Sequence, residues 1–182
     1  MKVVSLGALA LLTITTVSPA ATTTFDPPLV EVQAGTPALF DVYVAVESLS
    51  AFDAADILIG SNEVADLSFA YSPEWEAAMA GFVTPITYDS GVYGQDVFVG
   101  GFRVAGAIEG SLWVGTLTVD TAGLAVGDYP IVVDGVADGM SRLTLAGNWE
   151  PLSGMGTVRI PEPATLVLLA IGGLVVARRR AT

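Results

Sequence analysis

Phe40-Asp41-Val42-Tyr43-Val44-Ala45-Val46 decides the fold class. Bulky apolar residues stand at every second position. In an extended chain Phe40, Val42, Val44 and Val46 share one face, and Asp41, Tyr43 and Ala45 share the other. A helix would scatter the same residues around its circumference, and the β-branched valines favour the pleated backbone further. The period of two persists on both sides of this segment. A strand over Leu29 to Gln33 precedes it across the turn residues Ala34-Gly35-Thr36-Pro37. Downstream, strands are expected at Asp56 to Ile59, Leu67 to Tyr71, Val83 to Tyr88, Asp96 to Val104 and Leu112 to Val119. Three more are expected at Tyr129 to Val133, Leu143 to Leu145 and Gly156 to Ile160. Gly60-Ser61-Asn62, Asp89-Ser90-Gly91, Gly106, Gly110, Ala122-Gly123 and Asp138-Gly139 supply the turns between them. About nine or ten short strands with glycine-rich turns predict an all-β protein, a single β-sandwich.

One helical turn interrupts the pattern. Ser72 is placed to cap it, Pro73 suits the first helical position, and Glu74 and Glu76 meet the positive end of the dipole. The spacing predicts one short helix over Pro73 to Ala80 that stops at Gly81. Trp75 and Met79, four residues apart, would pin one face of it to the sandwich.

The two ends read differently from the middle. Met1-Lys2 is a minimal basic start, Val3 to Val17 is apolar, and Ser18-Pro19-Ala20 puts small residues where a signal peptidase reads them. Residues 1–20 are therefore expected to be a secretory signal peptide cut between Ala20 and Ala21. At the other end Pro161-Glu162-Pro163 precedes fourteen uncharged residues, Ala164 to Ala177, and then Arg178, Arg179 and Arg180. As a helix those fourteen residues would rise roughly 21 Å, short of the ~30 Å hydrocarbon core. Snorkelling arginine stems and tilt make such a segment a marginal membrane span. The arginines act as a basic stop on the cytoplasmic side by the positive-inside rule. Pro163 biases Glu162 away from helix, so the motif should present an extended, exposed peptide at the membrane surface.

This tripartite tail, residues 161–182, resembles the PEP-CTERM sorting signal of Gram-negative bacteria. The resemblance implies a membrane-embedded exosortase that recognises and cleaves the tail. It also implies an exported, membrane-anchored precursor that passes to the cell envelope or extracellular matrix. Between the two ends, residues 21–160 form the expected sandwich domain. The order of a valine-rich strand, Leu49-Ser50-Ala51-Phe52-Asp53, Ile57 to Ile59, a short helix, Gly101-Phe102, Leu112-Trp113-Val114-Gly115-Thr116-Leu117-Thr118-Val119 and Gly127-Asp128-Tyr129 is similar to the cohesin-type jelly roll. That family includes dockerin-binding scaffoldin modules. The similarity implies the fold and does not name a partner.

Composition narrows the chemistry. Only Arg103, Arg142 and Arg159 of the seven basic residues fall in the domain, against 18 of the 19 acids, a net charge of −15. A surface that acidic repels nucleic acid, which is excluded as a partner. The chain has no cysteine and no histidine, and the domain has no lysine. Disulfides, Cys–His and Ser–His–Asp nucleophile systems, Schiff bases and the usual zinc sites are therefore ruled out. Carboxylates remain, but nothing in their spacing marks a glycosidase pair, and solvated surface acids account for them. The expectation is a protein without catalytic residues and without a cofactor. Calcium is the one ion the composition suits, with Asp134-Gly135-Val136-Ala137-Asp138-Gly139 as its candidate loop. That loop lacks the EF-hand pattern, and Asp-Gly pairs more often make turns. Among the aromatics, Trp113 reads as core. Trp149, in the expected loop Gly147-Asn148-Trp149-Glu150-Pro151, is the candidate ligand contact. The resulting expectation is a non-enzymatic surface or matrix protein. Two alternatives accompany it: a carbohydrate-binding module for exopolysaccharide, and a cohesin-like adhesion module for a protein partner.

Overall fold

The computed structural model describes residues 21–47, 50–64, 66–79, 86–87, 90–103, 106–145 and 147–163. In chain order the strands are β1 (Ala21–Asp26), β2 (Leu29–Glu31), β3 (Ala38–Val46), β4 (Ala51–Ser61) and β5 (Asp66–Tyr71). Helix α1 (Pro73–Ala78) follows, then β6 (Ile86–Thr87), β7 (Gln95–Phe102), β8 (Ile108–Glu109), β9 (Ser111–Asp120) and β10 (Gly127–Asp134). The last elements are the one-turn helix α2 (Gly135–Asp138), β11 (Arg142–Leu145), β12 (Asn148–Pro151) and β13 (Ser153–Ile160). A strand is found at each position expected from the alternation, most with shifted ends; of the expected Val83 to Tyr88 only Ile86–Thr87 is described, and Val83 to Pro85, Tyr88 and Val104 lie outside the described residues. β1, β8, β12 and α2 are additions.

Two sheets face each other. The smaller is antiparallel in the order β1-β3-β9-β5. The larger runs β12-β11-β4-β10-β13-β2, with β7 and β8 on the other edge of β4 and β6 beyond β7. Among the described strands only β2 joins in parallel, through Leu29 to Glu31 beside Thr157 to Arg159. The core lies between the sheets, as the period of two requires. Phe40, Val42, Val44 and Val46 point into it from β3, and Phe52, Ala55, Ile57 and Ile59 from β4. Phe25 and Phe40 meet edge to face at 5.9 Å, a favoured aromatic geometry. Each fully buried side chain of this kind is worth about 1.5–3 kcal/mol of transfer free energy. A slip of one residue in β3 would turn four of them into water at once.

β9 carries an irregularity that matters below. Its register with β3 shifts between Val42 and Tyr43, so that Val114 is the extra residue of a bulge. Leu112 and Val114 face the core on one side of the bulge, and Leu117 and Val119 on the other. Trp113, between the first two, must point outward and is half-buried on the outer face. The expectation that it belongs to the core is corrected by the same alternation that defined the strand. The buried tryptophan is Trp75 on α1. The Ser72 hydroxyl accepts the Trp75 N–H at 2.9 Å as the cap, and Trp75 and Met79 both enter the core. The helix ends at Ala78, short of the expected Ala80.

The tail motif follows the fold directly. Ile160 is buried at the end of β13, and Pro161 to Pro163 continue without regular structure, Glu162 and Pro163 exposed. At the other end Ala21, the first described residue, lies in β1 and pairs with Val46. Among the described residues no helix is long and apolar enough to cross a membrane. Ala20, the apolar helix expected after Pro163 and Arg178 to Arg180 lie outside the described residues.

Candidate functional site

The outer face of the larger sheet gathers most of the chemistry. Strands alternate, so β12 presents Trp149 and Pro151 there, β11 presents Arg142 and Thr144, and β4 presents Ala54, Asp56, Leu58 and Gly60. β7 adds Asp96, Phe98, Gly100 and Phe102. Register aligns these across the sheet: Trp149 lies opposite Thr144, Arg142 opposite Asp56, and Ala54 and Asp56 opposite Phe102 and Gly100. Trp149 is 46% exposed and Phe102 42%, both large apolar groups that water would not select.

Trp149 is not in a loop. It stands on β12 in a hairpin that reverses at Gly147, whose φ of 82° is the left-handed conformation glycine allows. Sequence reading missed this strand because Asn148 to Pro151 has no alternation and contains a proline, which only an edge strand tolerates. The hairpin delivers the indole to Arg142, whose guanidinium carbon lies 4.4 Å from the ring centroid. That is a cation–π contact. The same guanidinium sits 3.6 Å from Asp56 Oδ2 through its Nε. Trp149, Arg142 and Asp56 thus form one column across three strands. Beside it, the Thr144 hydroxyl donates to Asp53 Oδ1 at 2.7 Å.

Burial pushes the Asp56 carboxyl above its ordinary value, and the charge and hydrogen bond of Arg142 only partly oppose this. The sign for stability follows. A carboxyl with a raised folded pKa contributes stability that is complete below its unfolded value and lost as pH rises through the folded one. Asp56→Asn removes that loss. In urea unfolding between about pH 4 and pH 7, the wild type should weaken relative to the variant as pH rises. A constant difference across the range would contradict the assignment.

The far end of the same face is closed over. The Tyr93 ring lies on Gly60, where a Cβ would come within 2.1 Å of its Cδ2. Buried Asp96 accepts the Ser90 N–H at 3.0 Å and the Ser90 hydroxyl, which ties down the segment that carries Tyr93. Ser141 accepts the Leu58 N–H at 2.9 Å and donates to Asp138 Oδ2 at 2.6 Å. Leu58, although on the outer side, is fully buried beneath this cover.

In the candidate calcium loop both aspartates accept backbone N–H groups. Asp134 Oδ1 accepts the N–H groups of Val136 and Ala137 at 3.2 and 3.1 Å, capping α2. Asp138 Oδ1 accepts those of Met140 and Ser141 at 2.6 and 2.7 Å. Oxygens that looked like hard-cation ligands in the sequence are engaged by the chain's own backbone. Among the described residues no group of three or more acidic or histidine side chains is arranged to hold a metal ion.

Comparison with known proteins supports both the tail and the fold. Residues 159–181 match the PEP-CTERM protein-sorting motif, a signal that marks an exported precursor anchored in the membrane and processed at the cell envelope. No curated protein matches the chain by sequence. Several cohesin structures share its fold. The cohesin of a type I cohesin–dockerin complex from Clostridium thermocellum is 14% identical with a TM-score of 0.55, over 78% of this chain and 99% of that one. The third ScaB cohesin of R. flavefaciens, solved with a group 1 dockerin, is 14% identical at 0.52, over 81% and 99%. A non-cellulosomal cohesin from the hyperthermophilic archaeon Archaeoglobus fulgidus is 13% identical at 0.51, over 77% and 90%. The all-β sandwich is thus a cohesin-like jelly roll.

Proposed function

We propose that the chain is a non-enzymatic protein-binding module, exported and sorted by an exosortase in a Gram-negative bacterium, that ends in the envelope or extracellular matrix. The observation that carries the binding role is the column of Trp149 over Arg142 on an open sheet face, with Phe102 beside it. Tryptophan and arginine are the residues that most often dominate protein interfaces, and here the guanidinium is held in place before any partner arrives. The cohesin-like fold supports a protein as the ligand, because the solved neighbours include complexes of a cohesin with a dockerin. Stacking of a sugar on Trp149 is the weaker reading, since one face of that indole is already taken by the guanidinium.

The ends complete the proposal. Signal-peptidase cleavage after Ala20 would keep all of the described β1, Ala21–Asp26, in the mature protein. Exosortase cleavage beyond Ile160 would leave β13 whole.

The test is affinity purification of the tagged chain from its native host, followed by titration of the purified partner. A single protein partner should bind wild type and lose at least about 2 kcal/mol of binding free energy with Trp149→Ala, the size of an interface hot spot. Arg142→Ala should weaken it similarly. A partner indifferent to both substitutions would place the interface elsewhere.

A further inference from the structure

The outer face of the smaller sheet is a second surface, on the opposite side of the sandwich. Its centre is a cross-strand pair of aromatics: Tyr43 on β3 stands directly opposite Trp113 on β9. Both are half-buried on the side away from the core, so each ring has an exposed part. Directly opposed residues on antiparallel strands have Cβ atoms about 4.5–5.5 Å apart, so the two side chains form one continuous platform. Trp113 is fixed in orientation, its Nε1 donating to Gly115 O at 3.1 Å. The next row on the face is acidic. Asp26 stands directly opposite Asp41 across β1 and β3, and like charges in that relation destabilise a sheet. Neither forms a salt bridge among the described residues. Thr116 donates to Asp41 Oδ1 at 2.7 Å and holds it beside the platform.

The charge distribution is one-sided. No lysine or arginine occurs on β1, β3, β5, β9 or α1. The domain's three arginines all belong to the larger sheet or its border, at 103, 142 and 159. Burial pushes the Tyr43 phenol up, and Asp41, Asp26 and Glu74 push it further. The hydroxyl therefore stays a hydrogen-bond donor. An acidic row left without cations beside a fixed aromatic pair is complementary to a ligand that is flat, ring-bearing and positively charged.

We propose that Tyr43 and Trp113, flanked by Asp26 and Asp41, form a binding platform for a glycan that bears protonated amino groups. Pyranose rings present a flat C–H face to an aromatic plane. The ammonium groups gain both from the π faces and from the carboxylates. A polyanionic glycan is repelled by the same acids. A peptide has no way to dock here by strand addition, because β3 and β9 are each paired on both sides. The site is distinct from the Trp149 column, so one sandwich would hold a protein on one face and a polysaccharide on the other.

The experiment uses the full-length chain in detergent and isothermal titration with a fully deacetylated glucosamine hexamer. The N-acetylated hexamer and a lysine hexapeptide are the comparison ligands. The amino hexamer should bind wild type, and Trp113→Ala and Tyr43→Ala should each weaken it at least tenfold, a loss of about 1.4 kcal/mol. Asp41→Asn should weaken it several-fold. Trp149→Ala should leave it unchanged, which separates this site from the one proposed above. Trp113→Phe keeps a ring and should retain most of the affinity, which guards against an alanine variant that fails to fold. The proposal is overturned if the amino hexamer does not bind, if the N-acetylated hexamer or the lysine peptide binds as tightly, or if the Tyr43 and Trp113 variants bind like wild type.

Discussion

Trp75→Ala should cost this protein about 3–5 kcal/mol of folding stability, the usual range for truncating a buried aromatic. Trp75 is only 1% exposed. It stacks on Tyr71 with ring centroids 6.1 Å apart and planes 5° from parallel. It also fills the space beside Gly101, where an added Cβ would come within 2.8 Å of its Cζ2. The indole is thus the wedge that attaches α1 to the side of the sandwich where β5 and β7 come together. Its removal leaves a cavity lined by rigid backbone at Gly101, which cannot collapse to fill it. Trp75→Phe should behave very differently. Among the described residues the buried Trp75 Nε1 has no hydrogen-bond partner, and phenylalanine removes that donor while keeping a ring. Its cost should be clearly smaller, roughly 1–2 kcal/mol, because most of the ring volume is kept and the cavity is smaller. Urea unfolding of the three proteins checks both values, and equal losses for Ala and Phe would refute the wedge.

The second large effect concerns processing. The double substitution Glu162→Ala with Pro163→Ala should abolish removal of the tail in a host with an active exosortase. It should leave the unfolding temperature of the domain within about 1 °C, as for surface changes away from the core. The separation of the two effects is structural. Ile160 is buried and hydrogen-bonded in β13, whereas Glu162 and Pro163 are exposed beyond it. The variant should stay in the membrane fraction, heavier than the processed protein by the mass of the uncut tail. Arg178, Arg179 and Arg180 replaced together by Ser should instead misorient or release the precursor by weakening the basic stop. Mass spectrometry of the mature C-terminus decides the matter. A wild-type protein that still ends at Thr182 would mean that the tail serves only as an anchor.

Local pattern made most of this molecule legible. The alternation from Phe40 to Val46 announced both the strand and its buried face, because strand geometry leaves a side chain only two directions. Ser72 and Pro73 announced α1, because capping is a contact between residues three apart. The tail motif was legible for the same reason: it is read as a linear peptide and needs no fold. Where neighbours in space are far apart in sequence, the sequence was silent or misleading. β1 is rich in threonine and adjoins the apolar start of the chain, and only pairing with β3 makes it a strand. Trp113 and Trp149 show the division most clearly. The sequence reading put Trp113 in the core, and only the pairing of β9 with β3 shows that it turns away from Leu112 and Val114. Only the tertiary structure placed Tyr43 across from it, brought Arg142 and Asp56 beneath Trp149, and separated the two tryptophans onto opposite faces. Those partners lie on different strands, and their meeting depends on register, a property of the whole sandwich and not of any segment in it.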